Sequence, residues 1–285
     1  MTAAVTGIDH VVIGVADLDR AEVTYRRLGF TLSPRARHSA AMGTANHTIM
    51  LEHEYFELLA VLTPTDRNAR WREALRRGDG VVGVAAATPS AAATREAWTA
   101  AGFDPGEVVA FSRQVERPGG VRTEARFETV SLPKDTLPAL SLFACEQLTR
   151  EAVWLPELMS HSNTVVGIRK LSLSVSDPVA ASRQWARAFP GSVTSSITGG
   201  VRIRLSRHAI DFLEADVAGQ RYRLGRPLDH AKCIALDFAV RSMDACREAL
   251  AQGRVKAEPD GDGIAIRADE ACGVAITMAP ASSPV

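Results

Sequence analysis

The sequence lacks the features that direct a protein into a membrane or onto a nucleic acid. No apolar run reaches the roughly 18 residues that a membrane-spanning helix needs. The chain begins directly with a strand-like pattern, so we expect no signal peptide. Lys and Arg (33) balance Asp and Glu (33), and no cationic excess favours nucleic acid or an anionic membrane as partner. We therefore expect the protein to act on, or bind, a small molecule.

Cysteine is scarce, and its spacing excludes several kinds of site. The four cysteines are dispersed, and none forms a CxxC pair: Cys145, Cys233, Cys246 and Cys272. In a chain of 285 residues, which can bury a substantial core, dispersed cysteines are typical of reduced core residues of a cytoplasmic protein. The alternative is a single disulfide pair. The sequence also carries no phosphate-binding loop and no nucleophile elbow.

The sequence does contain an internal repeat. Gly7-Ile-Asp-His10 is followed by Leu28-Gly29-Phe30, and Gly80-Val-Val-Gly83 is followed by Ala101-Gly102-Phe103. In both copies 22 residues separate the first glycine from the glycine of the Gly-Phe pair. Each copy runs from an alternating strand through a helix into a new strand. A repeat of this length determines the architecture before any single residue does.

The first copy predicts a βαβββ unit. Strand alternation places His10 on one face with Ile8, Val12 and Gly14. Asp17 is a helix N-cap, and the predicted elements are a helix over Leu18–Leu28 and strands over Phe30–Ser33, Thr44–Glu52 and Tyr55–Leu62. The second copy predicts a strand over Val81–Ala87, a helix over Ser90–Ala101, a hairpin turning at Pro118-Gly119-Gly120 and a last strand over Ala139–Cys145.

The frame then starts again after a helical connector. Gly167-Ile-Arg-Lys170 opens a third copy, in which Phe189 lies 22 residues after Gly167. The remaining predicted elements are a hairpin turning at Gly199-Gly200, strands over Ala209–Ala215 and Cys233–Val240, a helix over Met243–Ala251, and strands near 255–258, 263–268 and 273–279. The sequence thus predicts an α+β fold of four βαβββ units in two pairs. We expect a first domain over 1–150, a connector over 151–165 and a second, degenerate domain over 166–285.

The motifs G-I-D-H-V-V, L-G-F, G-T-A-N-H-T-I-M-L-E and Y-F-E-L-L resemble the glyoxalase-like branch of the vicinal oxygen chelate superfamily, as does the connector W-L-P-E-L-M-S-H-S-N. The resemblance implies that each pair of units forms a half-open, barrel-like mixed sheet with flanking helices. It also implies a divalent metal held by a His on the first strand and a Glu on the fourth, which points to His10 and Glu57. The implied chemistry is that of a lyase, an isomerase or a ring-cleaving dioxygenase.

His10 and Glu57 are chemically reasonable ligands. Imidazole and carboxylate suit Fe, Mn, Ni and Zn, and Glu57 can also move a proton as the catalytic residue. A carboxylate on the apolar face of Tyr55 and Leu59 needs a partner, because an unpaired buried charge costs several kcal/mol. The alternative is that His10 and Glu57 simply hydrogen-bond to each other without an ion.

The second unit lacks equivalent ligands, since Gly83 stands at the His10 position and Ser141 is the best match for Glu57. Two protein ligands are fewer than the usual three or four. The residues that could complete the site or bind substrate are His38, Asn46, His47, His53, Arg113 and Arg126. An arginine of the second-unit hairpin would bind a substrate carboxylate or enolate. The alternative is a solvated face of cross-strand ion pairs, which alternation favours for Arg126.

The second pair carries Lys170 in the His10 position and Asp211 as the nearest match to Glu57. A cation repels a metal, so we expect an ion pair there and no metal in this pair. The fourth unit offers only Ile234 or Ala235 at this position.

Three functions follow from these patterns. The first is a metal-dependent enzyme acting on a small oxygen-rich substrate. The second is a binding or resistance protein that holds a small molecule in the same cavity without metal, and the third is a metal-free enzyme with His10 and Glu57 as an acid–base pair. A homodimer is among the expected states.

Overall fold

The computed structural model of the protein describes residues 4–116, 120, 122–225 and 228–283. It contains two eight-stranded mixed sheets, each built from two consecutive βαβββ units. This confirms the α+β fold of four units in two pairs. Within the described ranges, no helix is long and apolar enough to cross a membrane.

The first two units form the first sheet. Its strands are β1 (Gly7–Gly14), β2 (Ala36–Arg37), β3 (Thr44–Met50), β4 (Tyr55–Val61), β5 (Gly80–Ala87), β6 (Val109–Glu116), β7 (Arg122–Ser131) and β8 (Ser141–Gln147). Its helices are α1 (Leu18–Arg27), α2 (Ala69–Leu75) and α3 (Ala91–Ala100). The strand order is β2-β3-β4-β1-β5-β8-β7-β6, so β1 and β5 of the two units meet antiparallel at the centre.

The last two units repeat this arrangement after a connector that holds α4 (Arg150–Val153). Their strands are β9 (Val165–Ser174), β10 (Val193–Ile197), β11 (Gly200–Arg204), β12 (Ala209–Leu213), β13 (Lys232–Val240), β14 (Ala257–Asp260), β15 (Gly263–Ile266) and β16 (Ala275–Pro280). Their helices are α5 (Pro178–Ala188), α6 (Ala215–Arg221) and α7 (Met243–Gln252). The order β10-β11-β12-β9-β13-β16-β15-β14 matches the first sheet strand for strand.

The four long helices α1, α3, α5 and α7 begin with the same local interaction. In each, an N-cap side chain accepts a hydrogen bond from the backbone N–H three residues later, and the caps are Asp17, Ser90, Asp177 and Ser242. These caps satisfy N–H groups that the helix leaves unpaired. After α1 and α3, Gly29 and Gly102 take φ values of +86° and +80°, which is why both copies carry Gly-Phe there.

Alternation along the strands separates two faces of the first sheet. Val11, Ile13, Phe56 and Leu58 join the main core, on the side of the helices. Val12, Tyr55 and Leu59 belong to a separate apolar cluster on the opposite side. We call this opposite side, which also carries His10 and Glu57, the inner face.

The main core continues from one half of the chain into the other. Phe238 of β13 lies with its ring centroid 5.6 Å from that of Phe30 and 5.4 Å from that of Phe56. The two sheets therefore share one apolar cluster. The domain limits at 150 and 165 stay a prediction about how the chain is organised.

Large buried aromatic side chains form hydrogen bonds between units of different halves. Eight residues after the N-cap, α1, α3 and α5 carry Tyr25, Trp98 and Trp185, all fully buried. The Trp98 indole N–H donates to Ala188 O at 3.0 Å, and the Trp185 indole N–H donates to Pro138 O at 3.3 Å. The second and third units thus exchange hydrogen bonds.

Two local expectations need correction, and a third concerns residues outside the described ranges. Phe30–Ser33 is not a strand; β2 is only Ala36–Arg37, because Pro34 has no N–H to continue the ladder that Ser33 begins with Thr48. Ile8 does not share the face of His10 but packs in the main core. The predicted turn residues 118 and 119 lie outside the described residues, whereas the turn at Gly199-Gly200 is confirmed between β10 and β11. The four cysteines are free and buried.

Candidate functional site

A β-bulge in β1 places Asp9 beside His10 on the floor of the inner face. In the pairing of β1 with β5, Ile8 lies opposite Ala86 and His10 opposite Ala85, so Asp9 has no partner residue. The bulge re-aims the side chain, and Asp9 Oδ1 lies 2.6 Å from His10 Nδ1. Both residues are buried.

Asp9 determines which nitrogen of His10 is available. Because the carboxylate only accepts, His10 donates from Nδ1–H and keeps the lone pair on Nε2. The imidazole is held flat against Tyr55, with ring centroids 4.4 Å apart and 17° between planes, and meets Phe143 edge-on at 5.3 Å. The ring is therefore fixed in both tautomer and orientation.

Glu57 lies diagonally across the strand pair from His10, since His10 pairs with Tyr55 and Val12 pairs with Glu57. Its Oε2 accepts a hydrogen bond from the Asn46 side-chain amide. Asn46 Oδ1 is buried and has no hydrogen-bond partner among the described residues. Glu57 and His10 are thus each held by a neighbour, Asn46 and Asp9, rather than by each other.

His38 and Arg113 lie at a cleft of about 430 Å³ between β2–β3 and β6–β7, which Thr48, Val153 and Leu158 also line. His38 Nδ1 is 2.7 Å from Thr44 Oγ1. Burial lowers the pKa of His38; the charge of Glu57 opposes this and that of Arg113 adds to it. The Arg113 guanidinium lies 5.9 Å from the Phe127 ring centroid. His38 therefore offers a neutral imidazole at neutral pH.

The structure does not bring His47, His53 or Arg126 to this site. His47 is on the helix side of β3, where Nδ1–H donates to Ser33 O at 2.8 Å and Nε2 lies 3.3 Å from Glu22. His53 is exposed at the turn between β3 and β4. Arg126 is exposed and alternates with the buried Ala125 and Phe127, so it points away from the cleft.

The register of the second unit corrects the expected match for Glu57. Gly83 lies opposite Ser141 as His10 lies opposite Tyr55, so the residue equivalent to Glu57 is Phe143 and not Ser141. At Gly83 a Cβ would lie 2.9 Å from the Trp71 ring. The Trp71 indole fills the space that a ligand side chain of the second unit would need.

Sequence reasoning missed three residues of the floor: Asp9, Cys145 and Gln147. The Gln147 side-chain amide donates to Asp9 Oδ1 at 3.0 Å and approaches Cys145 Sγ at 3.6 Å. Among the described residues, Asp9, His10 and Cys145 are the one group of three metal-ligand types whose ligand atoms lie within 4.8 Å of one another. Burial raises the pKa of the Cys145 thiol well above its usual range, so it stays protonated. The Gln147 side-chain N–H thus binds one oxygen of Asp9, while Gln147 Oε1 is buried and has no hydrogen-bond partner among the described residues.

The second sheet carries ion pairs at the equivalent positions, as expected. Asp211 lies opposite Ser172 as Glu57 lies opposite Val12, and Lys170 Nζ is 3.4 Å from Asp211 Oδ2. Arg202 completes the group with two bonds to Asp211, at 2.6 and 2.9 Å. In the fourth unit the equivalent of Gly83 is Ala235, opposite Ser172.

The chain belongs to the glyoxalase-like domain family, whose sequence model matches residues 8–189. This match covers the first sheet and extends through α5. The resemblance to the vicinal oxygen chelate superfamily is thereby confirmed.

Solved structures with low sequence identity share the fold. A hypothetical protein from Staphylococcus aureus is similar with a TM-score of 0.70 and 10% identity, over 96% of this chain and 98% of that chain. A triple mutant of 4-hydroxymandelate synthase from Streptomyces coelicolor gives 0.57 and 13%, over 96% and 92%. A xylose isomerase-like TIM barrel/4-hydroxyphenylpyruvate dioxygenase fusion protein gives 0.58 and 11%, over 99% and 50%. No curated protein matches the chain.

Two side chains on the inner face, His10 and Glu57, have the donor atoms that a divalent metal requires. A metal-binding histidine commonly donates its second ring N–H to a carboxylate, and Asp9 provides that carboxylate for His10. Glu57 keeps Oε1 for a ligand bond while Asn46 holds Oε2. The unpartnered Asn46 Oδ1 adds a further acceptor beside Glu57. A cation would satisfy these acceptors.

Proposed function

We propose that the protein is an enzyme acting on a small, oxygen-rich acid at the inner face of the first sheet, with a divalent metal held by His10 Nε2 and Glu57. The observation that carries this proposal is the Asp9–His10 pair, in which the Nδ1–H is engaged and Nε2 is kept for a ligand. A metal bound there would act as a Lewis acid toward two neighbouring oxygens of the substrate.

The chain's own residues supply binding and proton transfer. Arg113 makes no ion pair with a described residue, and its guanidinium would bind the carboxylate of the substrate through charge-assisted hydrogen bonds. Tyr55 and Phe143 provide apolar walls and exclude water from the floor. Glu57 would take or return a proton, and the neutral His38, which lines the neighbouring cleft, would do so as well.

Metal analysis of the reconstituted full chain tests the proposal. After chelation and separate reloading with Fe(II), Mn(II), Ni(II) or Zn(II), the wild type should retain about one equivalent of one of these ions. His10→Ala and Glu57→Gln should retain almost none. His53→Ala, which alters an exposed histidine of the same unit, should retain as much as the wild type. A wild-type content below about 0.2 equivalents for all four ions would contradict the proposed centre.

A second function is favoured by one specific observation. Trp71 and Phe143 occupy the ligand positions of the second unit, so only the first unit offers the ligands of the proposed centre. A binding protein that holds the same class of molecule without metal would likewise need no ligand side chains from the second unit. It predicts ligand-induced thermal stabilisation that chelator does not change. We also propose a cytoplasmic protein, in agreement with its four free cysteines; a homodimer stays a prediction.

A further inference from the structure

The second sheet has a cavity of its own on the side that corresponds to the inner face. It measures about 380 Å³, and the residues that line it include Lys170, Arg202, Arg221, Asp237 and Thr277. Lys170 occupies the register position of His10, so its amine lies where the first sheet has its imidazole.

Lys170 is buried, yet its amine is only loosely held. Nζ lies 3.4 Å from Asp211 Oδ2 and 3.9 Å from Asp237 Oδ2, both longer than a normal charge-assisted hydrogen bond. Asp211 is already bound twice by Arg202. The charge of Asp211 is therefore compensated without Lys170, and the amine is available to the cavity.

Asp237 supplies a second reactive group beside the amine. Its Oδ1 has no hydrogen-bond partner among the described residues, although Arg169 lies 3.4 Å away. Burial raises the pKa of Asp237, opposed by Lys170 and Arg169. Burial also lowers the pKa of Lys170, opposed by Asp211 and Asp237 and reinforced by Arg221 and Arg202. Each shift is in the direction of the neutral form of its group.

We propose that this second cavity binds a small 2-oxo acid and that the Lys170 amine forms an imine with its carbonyl carbon. The Nζ lone pair forms the N–C bond as the C=O π bond breaks, and the carbonyl oxygen takes one of the two amine protons to give a carbinolamine. Asp237 donates a proton to the departing hydroxyl, which leaves as water while C=N forms, and the proton released from nitrogen returns to Asp237. The step consumes one amine and one carbonyl group and yields one imine and one water, with no redox change. Arg221, exposed at the mouth, would bind the carboxylate of the oxo acid.

The other lysines of the chain serve as internal controls for this reaction. It has four lysines: Lys134, Lys170, Lys232 and Lys256. Lys134 and Lys256 are exposed, and Lys232 is half-buried. Exposed lysines are mostly protonated at neutral pH and therefore poor nucleophiles.

Reductive trapping tests the proposal. The full chain is incubated at pH 7.5 with glyoxylate or pyruvate and cyanoborohydride, and each lysine peptide is followed by mass spectrometry. We expect modification of Lys170 to be faster than that of Lys256, because burial lowers the pKa of Lys170 and so raises the fraction of its amine that is neutral. Asp237→Asn should slow modification at Lys170 and leave the rate at Lys256 unchanged. Modification of Lys170 at or below the rate of Lys256 would overturn the proposal.

Two further samples separate this cavity from the proposed metal centre. Chelated protein and the His10→Ala variant should give the same modification rate at Lys170 as untreated wild type. Failure of the metal centre would leave this result unchanged. Lys170→Arg places a guanidinium beside Asp211 and should remove the adduct without removing the fold. An adduct of the same yield elsewhere in that variant would show that the reaction is not specific to Lys170.

Discussion

Asp9 Oδ1 and His10 Nδ1 lie 2.6 Å apart, although side chains of neighbouring residues in a regular strand point to opposite faces. The bulge between Ile8 and His10 makes this contact geometrically accessible. It gives the first sheet a histidine of defined tautomer, and Gln147 in turn holds Asp9 at 3.0 Å.

Asp9→Asn should weaken metal binding while leaving the metal ligands in place. The negative charge of Asp9 orients His10 and raises the basicity of its Nε2, and the asparagine removes this charge. Loss of such an outer partner lowers the metal affinity by about 10- to 100-fold. Metal titration by calorimetry measures the change. Asp104→Asn, at an exposed position, is the matched control. Equal affinities for wild type and Asp9→Asn would mean that the pair has only a structural role.

Arg113→Ala should weaken the binding of an acid and leave the metal content unchanged. Phenylpyruvate, an aromatic acid with two neighbouring oxygens, is a suitable probe for a site walled by Tyr55 and Phe143. Loss of a charge-assisted hydrogen bond should raise its dissociation constant by about tenfold or more. Arg126→Ala removes an arginine from the solvent side of the neighbouring strand and should bind like the wild type. If Arg126→Ala weakened binding as much as Arg113→Ala, the assignment to Arg113 would be wrong.

Asp211→Asn should destabilise the second sheet, because it leaves Arg202 without the buried carboxylate that it binds through two hydrogen bonds. Removing one member of a buried ion-pair group costs about 3 kcal/mol or more. Urea unfolding measures the loss. Lys170→Met should cost less, since Arg202 still binds Asp211 through two hydrogen bonds. A fall in metal content in a folded Lys170→Met protein would contradict a metal-free second pair.

The connector histidine His161 should make the protein less stable in acid. Its Nδ1 accepts the Thr31 N–H at 3.0 Å, and its Nε2–H donates to Met50 O at 2.9 Å, so the folded ring has no place for a second proton. Burial lowers the pKa of His161 from 6.5, partly opposed by the bond to Met50 O. Below pH 6.5 the unfolded chain therefore binds more protons, and the free energy of unfolding falls by up to about 1.4 kcal/mol per pH unit.

Urea unfolding at pH 7 and pH 5 measures this loss of stability. His161→Gln should be less stable at pH 7 but lose less stability on acidification. His53→Gln, at an exposed position, should show the full wild-type loss. An unchanged loss in His161→Gln would assign the acid sensitivity to another group.

The two repeat glycines provide a matched pair for backbone strain. Gly102→Ala places a Cβ at φ +80°, which costs about 1 to 2 kcal/mol, and the new methyl meets only the side-chain end of Arg187, at 2.9 Å from Nη2. Gly29→Ala has a similar φ of +86°, but its Cβ would lie 2.9 Å from Asn163 Cβ and 3.1 Å from Asn163 N. Gly29→Ala should therefore be the more destabilising in thermal unfolding. Equal costs would show that the connector at Asn163 moves freely.

The elements with local signals could be predicted from the sequence. Asp17 and Ser90 cap their helices through contacts within three residues, and the two glycines take the positive φ that their positions after a helix indicate. Alternation also placed Glu57 correctly on one face with Tyr55 and Leu59. Each of these depends on neighbours in sequence, so one chain segment contains the whole signal.

The rest depended on information that alternation does not carry. Asp9 reaches His10 through a bulge, and bulges interrupt the period on which alternation rests. Phe143 rather than Ser141 matches Glu57 because a strand register is set across the sheet. Arg113 faces the cleft because it lies opposite the buried Ala125 in the pairing of β6 with β7, and that register is also set between strands.

The exchange of indole hydrogen bonds between Trp98 and Trp185 has a consequence for how such a protein could have arisen. A separate copy of either half would expose a large ring and leave a carbonyl acceptor, at Ala188 or Pro138, facing water. Two separate halves would have to find each other at cellular concentration. Joining them in one chain replaces that bimolecular encounter by an effective concentration in the millimolar range, set only by the connector. The covalent link thus removes the concentration dependence that an assembly of two separate proteins would have.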